Sequence, residues 1–192
     1  VVVFTLLTTW KRGRALLMER LAEDSMPLDI FIESIGASPP PRVPGTAVFL
    51  TSTADRVPHA LLHNLKHNKV LHERNFIVTV TVATTPRASD AERILIEPLA
   101  DSFWRIRLTY GYMEVPNVPR ALALARREGI ALEMMSTSYF LNRRSFRITE
   151  ASAMPTWQSS LFVSMTKAAS DASGFYRLPS NRVLELGQQL VV

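Results

Sequence analysis

The chain has 192 residues and a formal net charge of +5, from 22 Lys and Arg against 17 Asp and Glu. Its hydrophobic fraction of 47% and charged fraction of 20% are those of a globular protein and exclude an intrinsically disordered chain. The lack of cysteine excludes a disulfide framework, a thiol nucleophile and a cysteine-ligated metal. The excess of cations is compatible with binding to phosphates, nucleic acid or an anionic membrane surface.

The chain opens with an apolar run from Val1 to Trp10, and this run ends at the cations Lys11, Arg12 and Arg14. A run of this length cannot cross a bilayer, which requires about 20 residues. An apolar segment that ends in tryptophan and then cations is typical of the cytoplasmic end of a membrane helix. The alternative that the pattern leaves open is a buried first strand followed by a basic turn.

Two helices are predicted after the apolar run, the first at residues 14–23 and the second ending near Gly36. Three consecutive prolines, Pro39–Pro41, then form a stiff and extended spacer. We therefore divide the chain into residues 1–42, which hold the end of a membrane helix, juxtamembrane helices and the spacer, and an α/β domain at residues 43–192.

The predicted elements of the domain alternate between strands and helices. In chain order they are a strand at 46–51, a helix from Pro58, strands at 75–83, 94–96 and 103–110, a helix from Asn117 to Arg127, strands at 132–140 and 145–148, a helix at 155–169 and a strand at 181–192. This order predicts an α/β fold, with a mixed β-sheet and covering helices, preceded by a short helical juxtamembrane arm. Alternation at 103–110 indicates one buried face, as in an antiparallel sheet.

The last predicted helix carries an apolar stripe of Trp157, Leu161, Met165 and Ala168, which we expect to pack against the rest of the domain. Spacing of three and four residues places these side chains on one side of a helix. The stripe therefore predicts which face of the helix is buried.

Three histidines, His59, His63 and His67, recur at four-residue spacing on one predicted helix. This spacing is used by helical zinc sites, but the glutamate that accompanies such histidines is missing, and Lys66 adds a positive charge beside them. We therefore favour a structural role for the histidines and predict no metal site. The metal hypothesis stays testable, because added zinc would then raise the melting temperature.

The loop after the first strand of the domain is the best-placed candidate for a ligand site. Ser52, Thr53 and Arg56 lie between that strand and the next helix, where open α/β sheets bind ligands. Their hydroxyls and guanidinium group are suited to hold a phosphate. The favoured alternative is that these polar residues form a turn and cap the following helix.

Basic residues alternate with aromatic ones along a predicted strand, where Arg105 and Arg107 stand between Trp104 and Tyr110. A sheet that binds RNA needs both kinds of side chain on the same face, and the alternation places them on opposite faces. We therefore predict no nucleic-acid binding. Since the serine motifs of hydrolases are also missing, we predict no enzymatic activity and no cofactor.

Several segments match a known family in the same order along the chain. They are Thr8–Arg14, Val43–Thr51, Pro58–Glu73, Tyr110–Glu114, Ser138–Leu141 and Leu178–Val183. Together they resemble the bacterial members of the KUP/HAK/KT potassium uptake permeases. The first segment is similar to the point where the last membrane helix of that family enters the cytoplasm.

The resemblance implies the cytoplasmic regulatory and assembly domain of a proton-coupled potassium symporter at the inner membrane, without an ion-binding site. It implies three partners: the transmembrane part of the same permease, a second copy in a homodimer, and an anionic lipid surface contacted by Trp10, Lys11, Arg12 and Arg14. An adenine nucleotide is the leading candidate effector, held at Ser52–Arg56. The alternative is a free-standing basic α/β binding module for nucleotide or RNA.

Overall fold

A computed structural model describes residues 2–23, 26–130, 132–147, 154–168 and 172–191. The helices are α1 (Val2–Glu23), α2 (Leu28–Ala37), α3 (His59–Asn68), α4 (Val118–Leu122), α5 (Thr156–Ala168) and α6 (Ala172–Phe175). The strands are β1 (Arg42–Thr51), β2 (Leu71–Ala83), β3 (Ile94–Ala100), β4 (Phe103–Gly111), β5 (Thr137–Arg147) and β6 (Val183–Val191).

The strands form one sheet of six, in the order β3-β4-β2-β1-β5-β6. The four central strands, β4, β2, β1 and β5, run parallel, and β3 pairs antiparallel with β4. The mixed sheet and its helices confirm the predicted α/β class. The prediction that the strand at 103–110 belongs to an antiparallel sheet holds only for its pairing with β3. Alternation of apolar residues reports burial, and it does not report the direction of the neighbouring strand.

The described residues divide into two compact units. The larger unit takes its residues from 26–142 and 172–186, and the smaller unit takes the remainder. Helix α2, which the sequence assigns to the arm, belongs to the larger unit, because Leu28, Phe31 and Ile35 are buried in the same cluster as the sheet. The boundary between arm and domain at residue 43 stays a prediction.

The larger unit buries apolar side chains on both faces of the sheet. On one face, Val48, Phe76 and Ile106 pack together with residues of α4. On the other face, a second cluster that includes Phe49 and Ile77 packs with residues of α2 and α3. Burial on both sides explains the continuous apolar runs at the middle of β1, Ala47–Leu50, and of β2, Phe76–Val78, which are typical of parallel strands.

Three predicted boundaries differ from the structure. Helix α1 begins at Val2 and passes through Gly13, whereas the prediction began at residue 14. The segment at 132–136 is not a strand, and it ends in a short 3-10 turn at Met134–Ser136. Residues Thr137–Arg147 form one strand in place of the end of one predicted strand and the start of another. Backbone pairing with neighbouring strands sets the limits of the strand at Thr137–Arg147, and local sequence does not reveal that pairing.

The smaller unit is built on a close contact between α1 and α5. Phe162 is fully buried with Leu17 and Met154, and its ring centroid lies 5.7 Å from that of Trp10. Gly13 lies directly against the same ring, where a β-carbon would clash. A glycine at a helix contact lets a large aromatic ring approach the backbone of the other helix.

The predicted stripe on α5 is wrong at its first residue. Trp157 is mostly exposed, whereas the neighbouring positions Phe162 and Val163 are buried. The side chain of Ala168 lies outside the described residues. Because adjacent helical positions are separated by about 100°, a stripe chosen one residue away points to a different side. The size of Trp157 favoured the wrong face in the pattern.

Candidate functional site

The loop that follows β1 is shaped by threonine hydroxyls. The backbone N–H of Thr53 donates to Thr51 Oγ1 at 3.2 Å, and that hydroxyl donates to the Thr53 carbonyl at 3.2 Å. Ser52 and Thr53 are exposed. The turn in the favoured alternative is therefore present, but the expected helix cap is not, because Pro58 is the N-cap of α3 and makes no side-chain cap bond.

Arg105 on β4 fastens this loop from the neighbouring part of the sheet. Its Nε donates to the Ala54 carbonyl at 3.1 Å, and its Nη1 donates to Glu97 Oε2 at 2.9 Å. The Arg105 side chain is only 17% exposed, whereas Asp55, 3.7 Å from its Nη2, is 88% exposed. Since exposed ion pairs are worth little, and Glu97 lies on β3 outside the loop, the hydrogen bond to the Ala54 carbonyl accounts for most of this attachment.

A second attachment comes from the segment before α2, which pairs with the end of the loop. The N–H of Leu28 donates to the Asp55 carbonyl at 3.1 Å, and the N–H of Val57 donates to the Met26 carbonyl at 3.0 Å. These bonds flank an antiparallel bridge between Pro27 and Arg56. Backbone pairing of this kind uses no particular side chain, so the sequence carries no signal for it.

A dense polar cluster, which we call the clasp, joins the end of β4 to the loop between β2 and β3. Arg93 donates two hydrogen bonds to the Glu114 carboxylate, at 2.6 and 2.8 Å. The same carboxylate accepts the N–H groups of Gly111 at 2.6 Å and Ala88 at 3.1 Å. Arg93 also donates to the carbonyls of Ala88 and Thr109.

The hydrogen bonds of the clasp change the acidity of its members. Donation from Arg93, followed by donation from the Gly111 N–H, lowers the pKa of Glu114 from 4.5 to about 2. The bond to Glu114 in turn raises the pKa of Arg93. Both groups are therefore ionised throughout the neutral range. The clasp acts as a permanent ion pair and not as a proton donor.

Tyr110 connects the clasp to the start of α4. Its hydroxyl donates to the Asn117 carbonyl at 2.7 Å and accepts the Asn117 N–H at 3.1 Å. The Arg93 guanidinium lies 4.7 Å from the centre of the Tyr110 ring. Burial raises the pKa of this tyrosine. Asn117 then caps α4 by accepting the Arg120 N–H at 3.0 Å, which confirms the predicted cap.

The segment Tyr110–Glu114 supplies Gly111 and Glu114 to the clasp and Tyr110 to the contact with Asn117. Sequence reasoning identified that segment by resemblance but missed Arg93, which lies 21 residues before Glu114. The helix that begins at Asn117 also differs in kind from the prediction. It is α-helical as α4, continues as a 3-10 helix over Ala123–Glu128, and is terminated by Gly129, whose φ is +79°.

The three histidines of α3 lie side by side along the helix. The ring centroids of His59 and His63 are 5.7 Å apart, and those of His63 and His67 are 4.4 Å apart. Within the described part of the chain, no group of three His, Asp or Glu residues has the arrangement of a metal site. The fourth histidine, His72, lies on β2, where burial lowers its pKa.

The residues proposed to face lipid separate into two sets. Lys11, Arg12 and Arg14 are exposed on α1, whereas Trp10 is half-buried against Phe162. The large apolar side chains that are most exposed on α1 come before these cations, and they are Val2, Val3, Phe4 and Leu7. In the described ranges, no helix combines the length and the hydropathy that a membrane span requires.

Arg105 and Arg107 of β4 lie on the face opposite to the aromatic residues Trp104 and Tyr110, as the alternation predicts. Tyr110 is buried and Trp104 packs against the cluster that contains Phe76. Arg105 is occupied by the loop and by Glu97, as described above. The aromatic rings therefore serve the core of the sheet and do not form a stacking platform with the arginines.

Comparison with known proteins gives a consistent result across the chain. The family model described as K+ potassium transporter C-terminal domain matches residues 44–192. The "Probable potassium transport system protein Kup 2" of Rhodopseudomonas palustris is 46% identical over 100% of this chain and 30% of the relative. The corresponding Kup protein of Azoarcus sp. is 49% identical over 98% of this chain and 30% of the relative.

A third relative, the Kup protein of Caulobacter vibrioides, is 47% identical over 99% of this chain and 29% of its own length. The chain therefore spans about three-tenths of the length of the curated relatives it matches. No solved structure matches the chain. The chain belongs to the family of K+ potassium transporter C-terminal domains.

Proposed function

We propose that the chain is the cytoplasmic regulatory and assembly domain of a proton-coupled potassium symporter of the cell inner membrane. The family match over residues 44–192 is the observation that carries this proposal. The relatives are named as potassium transport proteins and are about three times as long as the chain. Ion binding and coupling then belong to the transmembrane part, and this domain contributes regulation and pairing in a homodimer, without catalysis.

The exposed end of α1 supports a position at the inner leaflet. Phe4 is 72% exposed and Leu7 is 64% exposed, although both side chains are apolar. From Thr9 onward, one side of α1 is buried, and Gly13 meets Phe162 there. The lipid contact therefore ends within the first turns of α1, and the three following cations lie at the level of the headgroups.

Electrostatic attraction between these cations and anionic lipid is the main polar contribution to the free energy of the proposed membrane contact. Lys11, Arg12 and Arg14 would each contribute about 1 kcal/mol at an anionic surface. Trp10 packs on Phe162 across the contact between α1 and α5, and its exposed part is proposed to contact lipid together with the three cations.

Binding to vesicles tests the membrane contact directly. The chain is mixed with vesicles of phosphatidylcholine, with and without phosphatidylglycerol, and the bound fraction is measured by sedimentation. We expect binding to require the anionic lipid and to fall at least tenfold in the variant K11Q/R12Q/R14Q. The matched control, R87Q/R107Q/R120Q, removes the same charge from exposed positions of the larger unit. Equal loss in both variants would contradict a contact through α1.

The proposed effector is an adenine nucleotide that contacts Ser52, Thr53 and Arg56. The loop lies at the carboxyl end of β1, within a parallel part of the sheet, which is the position where open α/β sheets take ligands. Titration calorimetry with ATP, AMP and cyclic di-AMP tests this assignment. Heat from one nucleotide that disappears in S52A/T53A supports it, and no heat from any of the three contradicts it.

Transport by the parent protein tests the regulatory role. A bacterial strain without its own potassium uptake receives the parent gene in one of two forms. One form is complete, and the other ends before the position that corresponds to Met26, so that it lacks the larger unit. We expect both proteins to reach the membrane and the short form to take up rubidium at an altered rate. Uptake that is the same in rate and in potassium dependence would refute a regulatory role. Loss of uptake on adding a protonophore, at constant membrane potential, is the expected sign of proton coupling.

A further inference from the structure

The segment Met26–Leu28, which we call the strap, lies across the end of the candidate effector loop. Two backbone hydrogen bonds join them, from Leu28 N–H to the Asp55 carbonyl and from Val57 N–H to the Met26 carbonyl. The strap and the loop therefore form a short antiparallel pair outside the six-stranded sheet. If the strap moves, either these two hydrogen bonds break or the loop moves with it.

The strap is continuous with α2, and α2 is anchored in the core of the larger unit. Leu28 is completely buried, and Phe31 meets Phe103 edge to face with ring centroids 6.1 Å apart. Along the chain, the strap is the first described segment after α1, and it is bonded to the loop before the chain continues into α2.

On the side of the loop that faces β4, the Arg105 side chain holds the loop. This guanidinium bonds the Ala54 carbonyl, one residue before the acceptor of the strap bond, and it also bonds Glu97 on β3. Arg107 lies two residues further along β4, on the same face, and it is exposed. Arg105 on β4 therefore contacts the loop, and the loop in turn contacts the strap.

We propose that the strap, the loop and Arg105 form a latch that couples the arm to the candidate effector loop. This inference rests on the proposed regulatory function of the domain. When the latch is closed, the strap and the loop are paired as in the structure, and when it is open, the two backbone bonds are broken while the sheet stays folded. Local openings of short segments, while the rest of the fold stays intact, are a general property of proteins. An effector on the loop then biases the latch through differential binding to its two states.

Hydrogen exchange measured by NMR on the whole chain tests whether the latch exists. In Arg105→Gln, we expect the amides of Leu28 and Val57 to exchange at least tenfold faster, while those of Phe76 and Ile106 keep their protection. Arg105→Lys keeps the charge near Glu97 but loses the forked geometry of the guanidinium. The exchange rates of Leu28 and Val57 in this variant should therefore lie between those of the wild type and those of Arg105→Gln. Arg107→Gln is the matched control and should exchange like the wild type. Unchanged exchange at Leu28 and Val57 in Arg105→Gln would overturn the latch.

Rubidium uptake by the parent protein tests whether the latch transmits a signal. We expect Arg105→Gln to change the initial rate at least threefold at equal amounts of protein in the membrane, and Arg107→Gln to leave it unchanged. Faster exchange together with unchanged uptake would overturn the coupling. The outcome is separate from that of the nucleotide titration, because a latch can couple the arm to the loop even where none of the three nucleotides binds.

Discussion

The two compact units differ in how completely they enclose their own apolar residues. The larger unit packs side chains against both faces of its sheet, and residues such as Phe49, Phe76 and Ile106 are fully buried. The smaller unit has a buried cluster of Leu17, Met154 and Phe162, yet α1 exposes several large apolar side chains ahead of its cations. The larger unit thus has the core of an independent domain, whereas the smaller one is organised around one aromatic ring.

Because of this difference, we expect the two units to respond differently to single substitutions. Because the larger unit buries apolar residues on both faces of its sheet, single changes at its surface should alter its stability only a little. The smaller unit depends on few contacts, so single substitutions at the contact between α1 and α5 should have large local effects. The predictions below test this contrast, beginning with the largest change.

Truncating the central ring of the smaller unit should break it without unfolding the larger one. Phe162→Ala removes a buried phenyl ring and should cost about 4 kcal/mol of local stability, as such changes do in protein cores. Hydrogen exchange of α1 amides measures the loss. The control Phe4→Ala removes the same ring from an exposed site and should change stability by less than about 0.5 kcal/mol. Simultaneous unfolding of the sheet in Phe162→Ala would show that the units are not independent.

A methyl group at the last residue of β4, Gly111, should destabilise the larger unit. In Gly111→Ala, the new β-carbon would meet the backbone of Pro86 and Arg87, and the strain should cost about 3 kcal/mol of unfolding free energy. Denaturant unfolding gives the value. The control is Gly36→Ala, because no atom lies near that position of α2 and alanine favours a helix by up to about 1 kcal/mol. Equal effects of the two changes would refute the close approach at Gly111.

Neutralising the carboxylate of the clasp should have an intermediate effect. Glu114→Gln keeps the shape but loses the charge that accepts bonds from Arg93, so the unfolding free energy should fall by about 2 kcal/mol. Glu97→Gln is the matched control on the exposed pair with Arg105, and it should cost about 0.5 kcal/mol or less. If the two variants were equally stable, the clasp would be no stronger than a surface ion pair.

Protonation of Glu114 should leave the stability of the chain unchanged at neutral pH and should lower it only in acid. Its pKa is lowered from 4.5 to about 2 in the folded chain, so its contribution to stability is complete above the pKa of the unfolded state. That contribution is lost as the pH falls from about 4.5 towards 2. Melting curves at several pH values should show this loss in the wild type. A matching acid dependence in Glu114→Gln would assign it to other carboxylates.

Most elements of the fold follow from local pattern, whereas most of their contacts do not. The cap at Asn117 and the strand around Phe76 were predictable, because each depends on residues close together in the chain. The partner of Glu114 was not predictable, since Arg93 reaches it only through the pairing of β3 with β4. The strap was equally hidden, because its bonds join backbone atoms and use no motif.

The candidate site shows the same division. The position of Ser52 and Thr53 after a buried strand was evident from the sequence, as was the exposed character of Lys11 and Arg12. The attachment of the loop to Arg105 required the register of β4 against β3 and β2. The half-buried position of Trp10 required the packing of α5 on α1, which no local pattern around Trp10 contains.

The amino-acid sequence was sufficient for the α/β class, for most of the order of its elements and for the family to which the chain belongs. These properties arise from hydrophobic periodicity, turn residues and matched segments, all of which are local along the chain. Tertiary structure alone decided which arginine meets which carboxylate and which segment covers the loop after β1. Those contacts join residues far apart in sequence, and they depend on the register of the strands and the packing of the helices.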